Sequence, residues 1–258
     1  MCFDRAADIY DTTRRAAQPE AIEALAEELS DCSSVLELGV GTGRLAVPLM
    51  ERGFQVVGVD LSRKMLDVGR DKGLERLVLG DVCRLPFRPK SVDAVLAVHV
   101  LHLIENLRDV LAEAAATARK KLVAITERYE PPDRSISWAY GQAVRARGAL
   151  SARRWVQPEL GIGMVVPPRR FATVVRHEER ESADAALAAL ERRMWAITWD
   201  VPDDVHREVL AELSSQFAGR SVTHDLEVCL LSWDVADFTV RALEQVADAA
   251  PPGGQSDG

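Results

Sequence analysis

Apolar residues in the first half of the chain fall in short continuous runs separated by amphipathic stretches. That alternation predicts a parallel sheet covered by helices on both faces. The runs SSVLEL, FQVVGVD, ERLVLGD, SVDAVLAVHVLHLI and KLVAITE are five expected strands, the fourth carried to Ile104 and the fifth spanning residues 121–127. Between them lie expected helices. PEAIEALAEEL has Pro19 at a first helical position and Ile22, Leu25, Ala26 and Leu29 on one face, and GRLAVPLMERG ends at Gly53. LSRKMLDVGRDKG is capped by Ser62 and stopped by Gly73, and NLRDVLAEAAATARK leads into the fifth strand. Pro48 kinks the second of these helices unless it sits in the first turn.

After Glu127 the rhythm breaks. A stretch of prolines, glycines, arginines and aromatics follows, with one helix expected around residues 136–150. Regularity returns with a strand FATVVRHEE, helices SADAALAALERRMWAI and PDDVHREVLAELSSQF, and a last strand DLEVCLLSWDV. The expected class is therefore α/β, a Rossmann-like, doubly wound, seven-stranded sheet with a helical insertion after the fifth strand. The expected divisions are a core over residues 1–127, an insertion over 128–170, a completion of the sheet over 171–247, and a polar, mobile tail over 248–258.

Composition narrows the function. With 258 residues, 47% hydrophobic and 28% charged, the chain has enough material for a full core. A net charge of −8 argues against non-specific attachment to nucleic acid or an anionic membrane. Cys2, Cys32, Cys83 and Cys229 show no metal-ligand or disulfide spacing, so reduced thiols and no metal are expected. His99 and His102 lack a third ligand. The opening MCFDRAADIY has acids where a leader needs an apolar run, and no stretch approaches about 18 uninterrupted apolar residues. A cytoplasmic protein is expected.

The chemistry centres on ELGVGTGR, which must turn from a buried strand into a helix while its backbone passes close to a ligand. A dinucleotide fingerprint needs glycine where Arg44 stands, which disfavours a nucleotide-dependent oxidoreductase. Glu37 with Gly39, Gly41 and Gly43, then Asp60 in VVGVDLSRKML, Asp81 in GDVCRLPF and the fourth-strand run through His99 together resemble the class I S-adenosylmethionine-dependent methyltransferases. The likeness is to the branch acting on small molecules and covers roughly residues 8–126. It implies that Asp60 holds ribose hydroxyls, that Asp81 and the Val82 amide face adenine, and that Leu61 and Met65 contribute to the cofactor site. It further implies that His99 lines the methionine end, that His102 lies at the rim, and that Tyr10 and Arg14 close over the cofactor. Tyr10, His99 and His102 are the candidate catalytic residues. Two departures from the family pattern stand out: AAATARKKLVAI lacks the usual Pro-Gly-Gly turn, and Cys83 occupies a position where small or acidic residues are usual.

A sulfonium cofactor without phosphate suits carboxylates and a loop without lysine. The expected reaction passes methyl from S-adenosylmethionine to a small-molecule acceptor and leaves S-adenosylhomocysteine. The alternatives are an RNA or protein methyltransferase, or a non-catalytic cofactor-binding partner. Arg145, Arg147, Arg153, Arg154, Arg169 and Arg170, set among Tyr129, Trp138, Tyr140 and Trp155, either face an anionic or aromatic acceptor or form a solvated helix face. Monomer and homodimer both stay open.

Overall fold

Pro19, following the extended Gln18, starts α1 (Pro19–Glu28), whose Ala21, Ile22 and Leu25 are buried. The computed structural model describes residues 17–130, 135–149 and 158–248. The strands are β1 (Ser34–Leu38), β2 (Gln55–Asp60), β3 (Leu77–Leu79), β4 (Val92–Val98), β5 (Ala118–Glu130), β6 (Arg170–Ser182) and β7 (Ser221–Asp234). They form a seven-stranded sheet of order β3-β2-β1-β4-β5-β7-β6. The first five run parallel, and β7 lies antiparallel between β5 and β6.

Alternate side chains of the central strands feed two cores. On one face Leu36, Leu38, Val95 and Ala97 pack with α4 (Leu107–Thr117), α6 (Pro158–Val165) and α9 (Val240–Asp248). On the other, Val35, Ala94, Leu96 and Val123 pack with α1, α2 (Ala46–Glu51) and α3 (Arg63–Asp71). The sheet is thus doubly wound. Pro48 is the third residue of α2, inside its first turn, where a missing N–H costs nothing. Ser62 caps α3 by accepting from the Met65 N–H at 3.2 Å.

A third core joins α5 (Ile136–Ala146), α7 (Ala183–Glu191) and α8 (Asp203–Phe217) around Ile136, Tyr140, Leu187, Leu190 and Val209. The register sets Glu130 opposite Asp225 and Ser182 opposite Ser221. Hence α5, α7 and α8 all join the sheet at the carboxyl end of β5, the side on which the parallel strands present their loops. Within this cluster the Tyr140 hydroxyl lies 2.6 Å from His206 Nδ1.

Several boundaries differ from the sequence expectation. β4 stops at Val98, so His99 is not a strand residue: its φ of 49° takes the chain out of the ladder, and a 3₁₀ turn over Leu101–Leu103 follows. α4 ends at Thr117 and not at Lys120. The Lys90 and Ser91 N–H groups donate to the carbonyls of Ala116 and Thr117, both at 2.9 Å, and close the helix end. Lys90 Nζ adds bonds to the Ala115 and Ala118 oxygens at 3.0 and 2.8 Å. Residues 118–120 therefore enter β5, with no Pro-Gly-Gly turn needed. β5 also runs past Glu127 to Glu130, because β7 pairs with it from Lys121 to Glu130. β3 is only three residues long and leaves Asp81 beyond its end. α7 stops at Glu191, short of the expected end near residue 197; Arg193 at φ 52° leads instead to a 3₁₀ turn over Ala196–Thr198. α6 and α9 were not anticipated. The expected mobile tail lies outside the described residues, save its first residue, Asp248, the last of α9.

Candidate functional site

Strand order reverses between β1 and β4, and the crevice at their carboxyl ends is where an open α/β sheet takes its ligand. The loop after β1 supplies the floor. Gly39, Gly41 and Gly43 have φ of 61°, 56° and 83°, a left-handed backbone that side chains resist. Their reasons for being glycine differ. A Cβ on Gly39 would sit 2.5 Å from Val100, and one on Gly43 2.5 Å from Leu74, so both are held by internal packing. A Cβ on Gly41 would meet nothing nearer than the Gly39 oxygen at 4.0 Å. Gly41 therefore faces open space, and its bare backbone is the part a ligand can approach.

Asp60 ends β2 as expected and fixes this floor. Its Oδ2 accepts from the Gly41 N–H at 2.9 Å and its Oδ1 from the Ser62 N–H at 2.8 Å. One carboxylate thus ties the glycine loop to the start of α3. Each oxygen keeps a second lone pair, so the same group still has acceptor capacity for hydroxyls.

Glu37, at 3% exposure, lies beneath the loop with its Oε2 buried and without a hydrogen-bond partner. Burial pushes its carboxyl up to about 8, with Arg44 and the Ala46 N–H pulling the other way and Asp60 adding to the rise. A buried acceptor of this kind suits a neighbouring cation.

The remaining expected residues divide. Leu61 is exposed at the crevice rim, whereas Met65 is fully buried. Val82 is buried, and Asp81 lies in a turn with its Oδ1 accepting from the Cys83 N–H at 2.9 Å. His99 stands just beyond β4, its Nε2 3.5 Å from Glu127 Oε1 on β5. Both line a cleft with Gln18, Arg44 and Leu45. His102 sits in the 3₁₀ turn beside it. Tyr10 and Arg14 lie outside the described residues.

Sequence reading missed Glu127. It stood out only as the end of an apolar run, and its partner belongs to another strand; the ladder that pairs Val98 with Ile125 is what brings them together.

Three of the insertion arginines make ion pairs within the fold. Arg147 reaches Glu208 and Glu212 at 3.1 and 2.7 Å, Arg169 reaches Asp237 at 3.3 Å, and Arg170 reaches Glu28 at 3.2 Å. Arg153, Arg154 and Trp155 lie outside the described residues. No cluster of three or more metal-ligating side chains and no helix long and apolar enough to cross a membrane occurs among the described residues.

Comparison with known proteins agrees with this geometry. A family model described as a methyltransferase domain matches residues 36–122, from β1 to β5. An uncharacterized methyltransferase of Mycobacterium tuberculosis is 32% identical over 180 residues, which cover 69% of this chain and 69% of that protein. A demethylmenaquinone methyltransferase of Tropheryma whipplei is 34% identical over 131 residues, 44% of this chain and 51% of that one. The YcgJ protein of Bacillus subtilis shares the fold at a TM-score of 0.52 with 17% identity, over 83% of this chain and 98% of its own. From the matched span, the sheet order and the loop at its switch point, the chain belongs to the class I S-adenosylmethionine-dependent methyltransferases.

Proposed function

We propose that the crevice between β1 and β4 holds S-adenosylmethionine and that the chain methylates a small-molecule acceptor. The observation that carries this reading is the Glu37–Gly41–Asp60 arrangement: an orphaned buried carboxylate oxygen, a glycine facing open space, and an acid that fixes both rims. A sulfonium with ribose hydroxyls and no phosphate matches that set. Gly39 and Gly43 let the loop pack against Val100 and Leu74, Asp60 receives the ribose, and Glu37 supplies negative potential from below. Leu61, Met65, Asp81 and Val82 serve the adenine side, and His99 the methionine side, with Tyr10 and Arg14 closing from the N-terminal segment. When bound, the cofactor supplies an electrophilic methyl group. The protein's part is then alignment and exclusion of water.

The third core supports a small acceptor. It stands beyond the carboxyl end of β5, so α5 with α7 and α8 would form a wall on the side of the sheet where the crevice opens. A demethylmenaquinone methyltransferase among the relatives fits the same class of acceptor. Calorimetric titration with S-adenosylmethionine and S-adenosylhomocysteine, with NAD as control, tests the reading. Wild type should bind the first two saturably, and Asp60→Ala should lose at least a hundredfold in affinity. Undiminished affinity in that variant removes Asp60 from the site, and no binding to wild type at millimolar ligand removes the reading itself.

A further inference from the structure

We propose that the Tyr140–His206 pair is an acid-sensitive pin of the α5–α7–α8 bundle: a proton taken up by His206 loosens these helices while the sheet and its crevice stay folded. The inference assumes nothing about the ligand, so it stands apart from the function proposed above.

The bundle can open as a unit. Its apolar core of Ile136, Tyr140, Val144, Leu190 and Val209 is separate from both cores of the sheet. Hydrogen bonds tie it to the sheet at the strand ends: the Ile136 N–H donates to Glu181 Oε2 on β6 at 3.2 Å, and Ser182, the last residue of β6, caps α7 through the Ala185 N–H at 3.4 Å. Packing that stops at such a boundary lets one part open while the other holds.

A polar pair stands inside this core and joins α5 to α8. The Tyr140 hydroxyl is 2.6 Å from His206 Nδ1, the rings meet edge to face with centroids 5.6 Å apart, and the two residues are 0% and 5% exposed. The bond is satisfied when the hydroxyl donates to Nδ1 and the ring carries its proton on Nε2. Nε2 is buried and forms no hydrogen bond among the described residues.

A second proton, at Nδ1, makes both nitrogens donors. The Tyr140 hydroxyl must then turn its hydrogen away from the ring into apolar surroundings, and a full charge is buried facing a cation that is itself held in place. That cation is Arg193. Its backbone is left-handed at φ 52°, and its guanidinium donates to the Thr198 and Val201 carbonyls and, at 2.6 Å, to Asp203 Oδ1. The groups facing the imidazole are Tyr140 from α5, Glu191 from α7, Arg193 from the loop after it and Asp203 from α8. Burial and Arg193 together hold the ring below its ordinary range, against Glu191 and Asp203. Burial also pushes the Tyr140 phenol up to about 12, which keeps it a neutral donor. Released, the ring titrates at its ordinary 6.5; packed, it titrates lower. The unfolded bundle therefore binds more protons, and its stability, complete above that value, is lost as pH falls through it.

The test is hydrogen exchange read by mass spectrometry on the full chain at about pH 7.5 and pH 5.5, with an unstructured peptide correcting for the intrinsic effect of pH. Protection of α5, α7 and α8 should fall at least about threefold more than that of β1, β2 and β4, with about tenfold the ceiling for a histidine released to titrate at 6.5. This comparison uses wild type alone. His206→Asn keeps an acceptor where Nδ1 stands and takes no proton, so the extra fall should vanish. Tyr140→Phe removes the hydroxyl that favours the neutral ring, so the extra fall should shrink. Calorimetry at both pH values should show S-adenosylmethionine affinity changing alike in wild type and His206→Asn. Protection that falls no more in the bundle than in the sheet overturns the proposal, as does an extra fall undiminished in both variants, or a cofactor affinity whose pH dependence differs between wild type and His206→Asn.

Discussion

Adding a single methyl group to the glycine loop separates packing from ligand access. Gly39→Ala drives a Cβ to 2.5 Å from Val100 in addition to the left-handed strain, so it should lower stability by more than the ~1–2 kcal/mol that strain alone costs. Gly41→Ala pays only the strain, because the space beside it is open, yet it should weaken S-adenosylmethionine binding more than Gly39→Ala weakens it per unit of stability lost. Thermal melts with and without ligand decide this; equal ligand-induced shifts in both variants would remove Gly41 from the contact surface. Glu37 gives a second test. Its carboxyl is pushed up to about 8 by burial, so at pH 7 the free protein holds it largely protonated, and a bound cation favours the ionised form. Binding at pH 7 should therefore release a proton, visible as a dependence of the calorimetric enthalpy on buffer ionisation heat and absent in Glu37→Gln. Affinity should rise with pH up to about 8. The effect on folding has the opposite sign: between 4.5 and about 8 the folded chain holds a proton that the unfolded chain lacks, so this group's contribution to stability falls as pH rises through that window.

At the scale of elements, Lys90 decides where α4 becomes β5. It combines a left-handed φ of 55° with Nζ bonds to the Ala115 and Ala118 carbonyls. Lys90→Met keeps the strain and removes those bonds, and should cost about 1–2 kcal/mol in urea unfolding; Lys90→Gly, relieved of strain, should cost less. A neutral Lys90→Met would show the capping to be incidental. The same element explains how much the chain disclosed in advance. Strands buried on both faces, such as β1, β2 and the body of β4, announce themselves as apolar runs, and the caps Pro19 and Ser62 act on their own helices. The end of α4 depends on a lysine 28 residues ahead of Ala118, and the end of β5 on pairing with β7, so neither boundary leaves a local trace. Asp60 and the glycines were legible because loop, strand end and helix cap are contiguous. The His99–Glu127 pair was not, since it exists only through the β4–β5 register. α6 was obscured by its two glycines, although Pro158 followed by Glu159 in its first turn is a recognisable start.

For the molecule as a whole, the second half of the sheet is held by an ion triad built on one buried carboxylate. Glu227 on β7, 1% exposed, takes Arg128 from β5 at 2.5 Å and Arg176 from β6 on its other side. Burial alone would raise this carboxyl, but the hydrogen bonds from the two arginines outweigh it and hold the group below its ordinary range. Glu227→Ala removes the buried partner of two arginines that are themselves 30% and 62% exposed and can rehydrate, and should cost about 1–3 kcal/mol, measured by denaturant unfolding. An acid with a depressed folded pKa contributes stability above its unfolded value of 4.5 that is lost as pH falls below it, so the wild-type advantage over Glu227→Gln should shrink in acid. An advantage unchanged down to pH 3 would show that the arginines do not hold the ionised form.

The position of β7 also has a consequence for synthesis. Among the described residues β6 pairs with β7 alone, and β7 spans Ser221–Asp234, late in the chain. As the polypeptide leaves the ribosome, the parallel half from β1 to β5 can assemble while β6 emerges with its backbone groups unpaired. Some forty further residues must follow before the last strand slides between β5 and β6. During that interval the glycine loop and its acids stand beside an open strand edge, so the nascent chain is most exposed to mispairing at the stage when its ligand crevice is first formed.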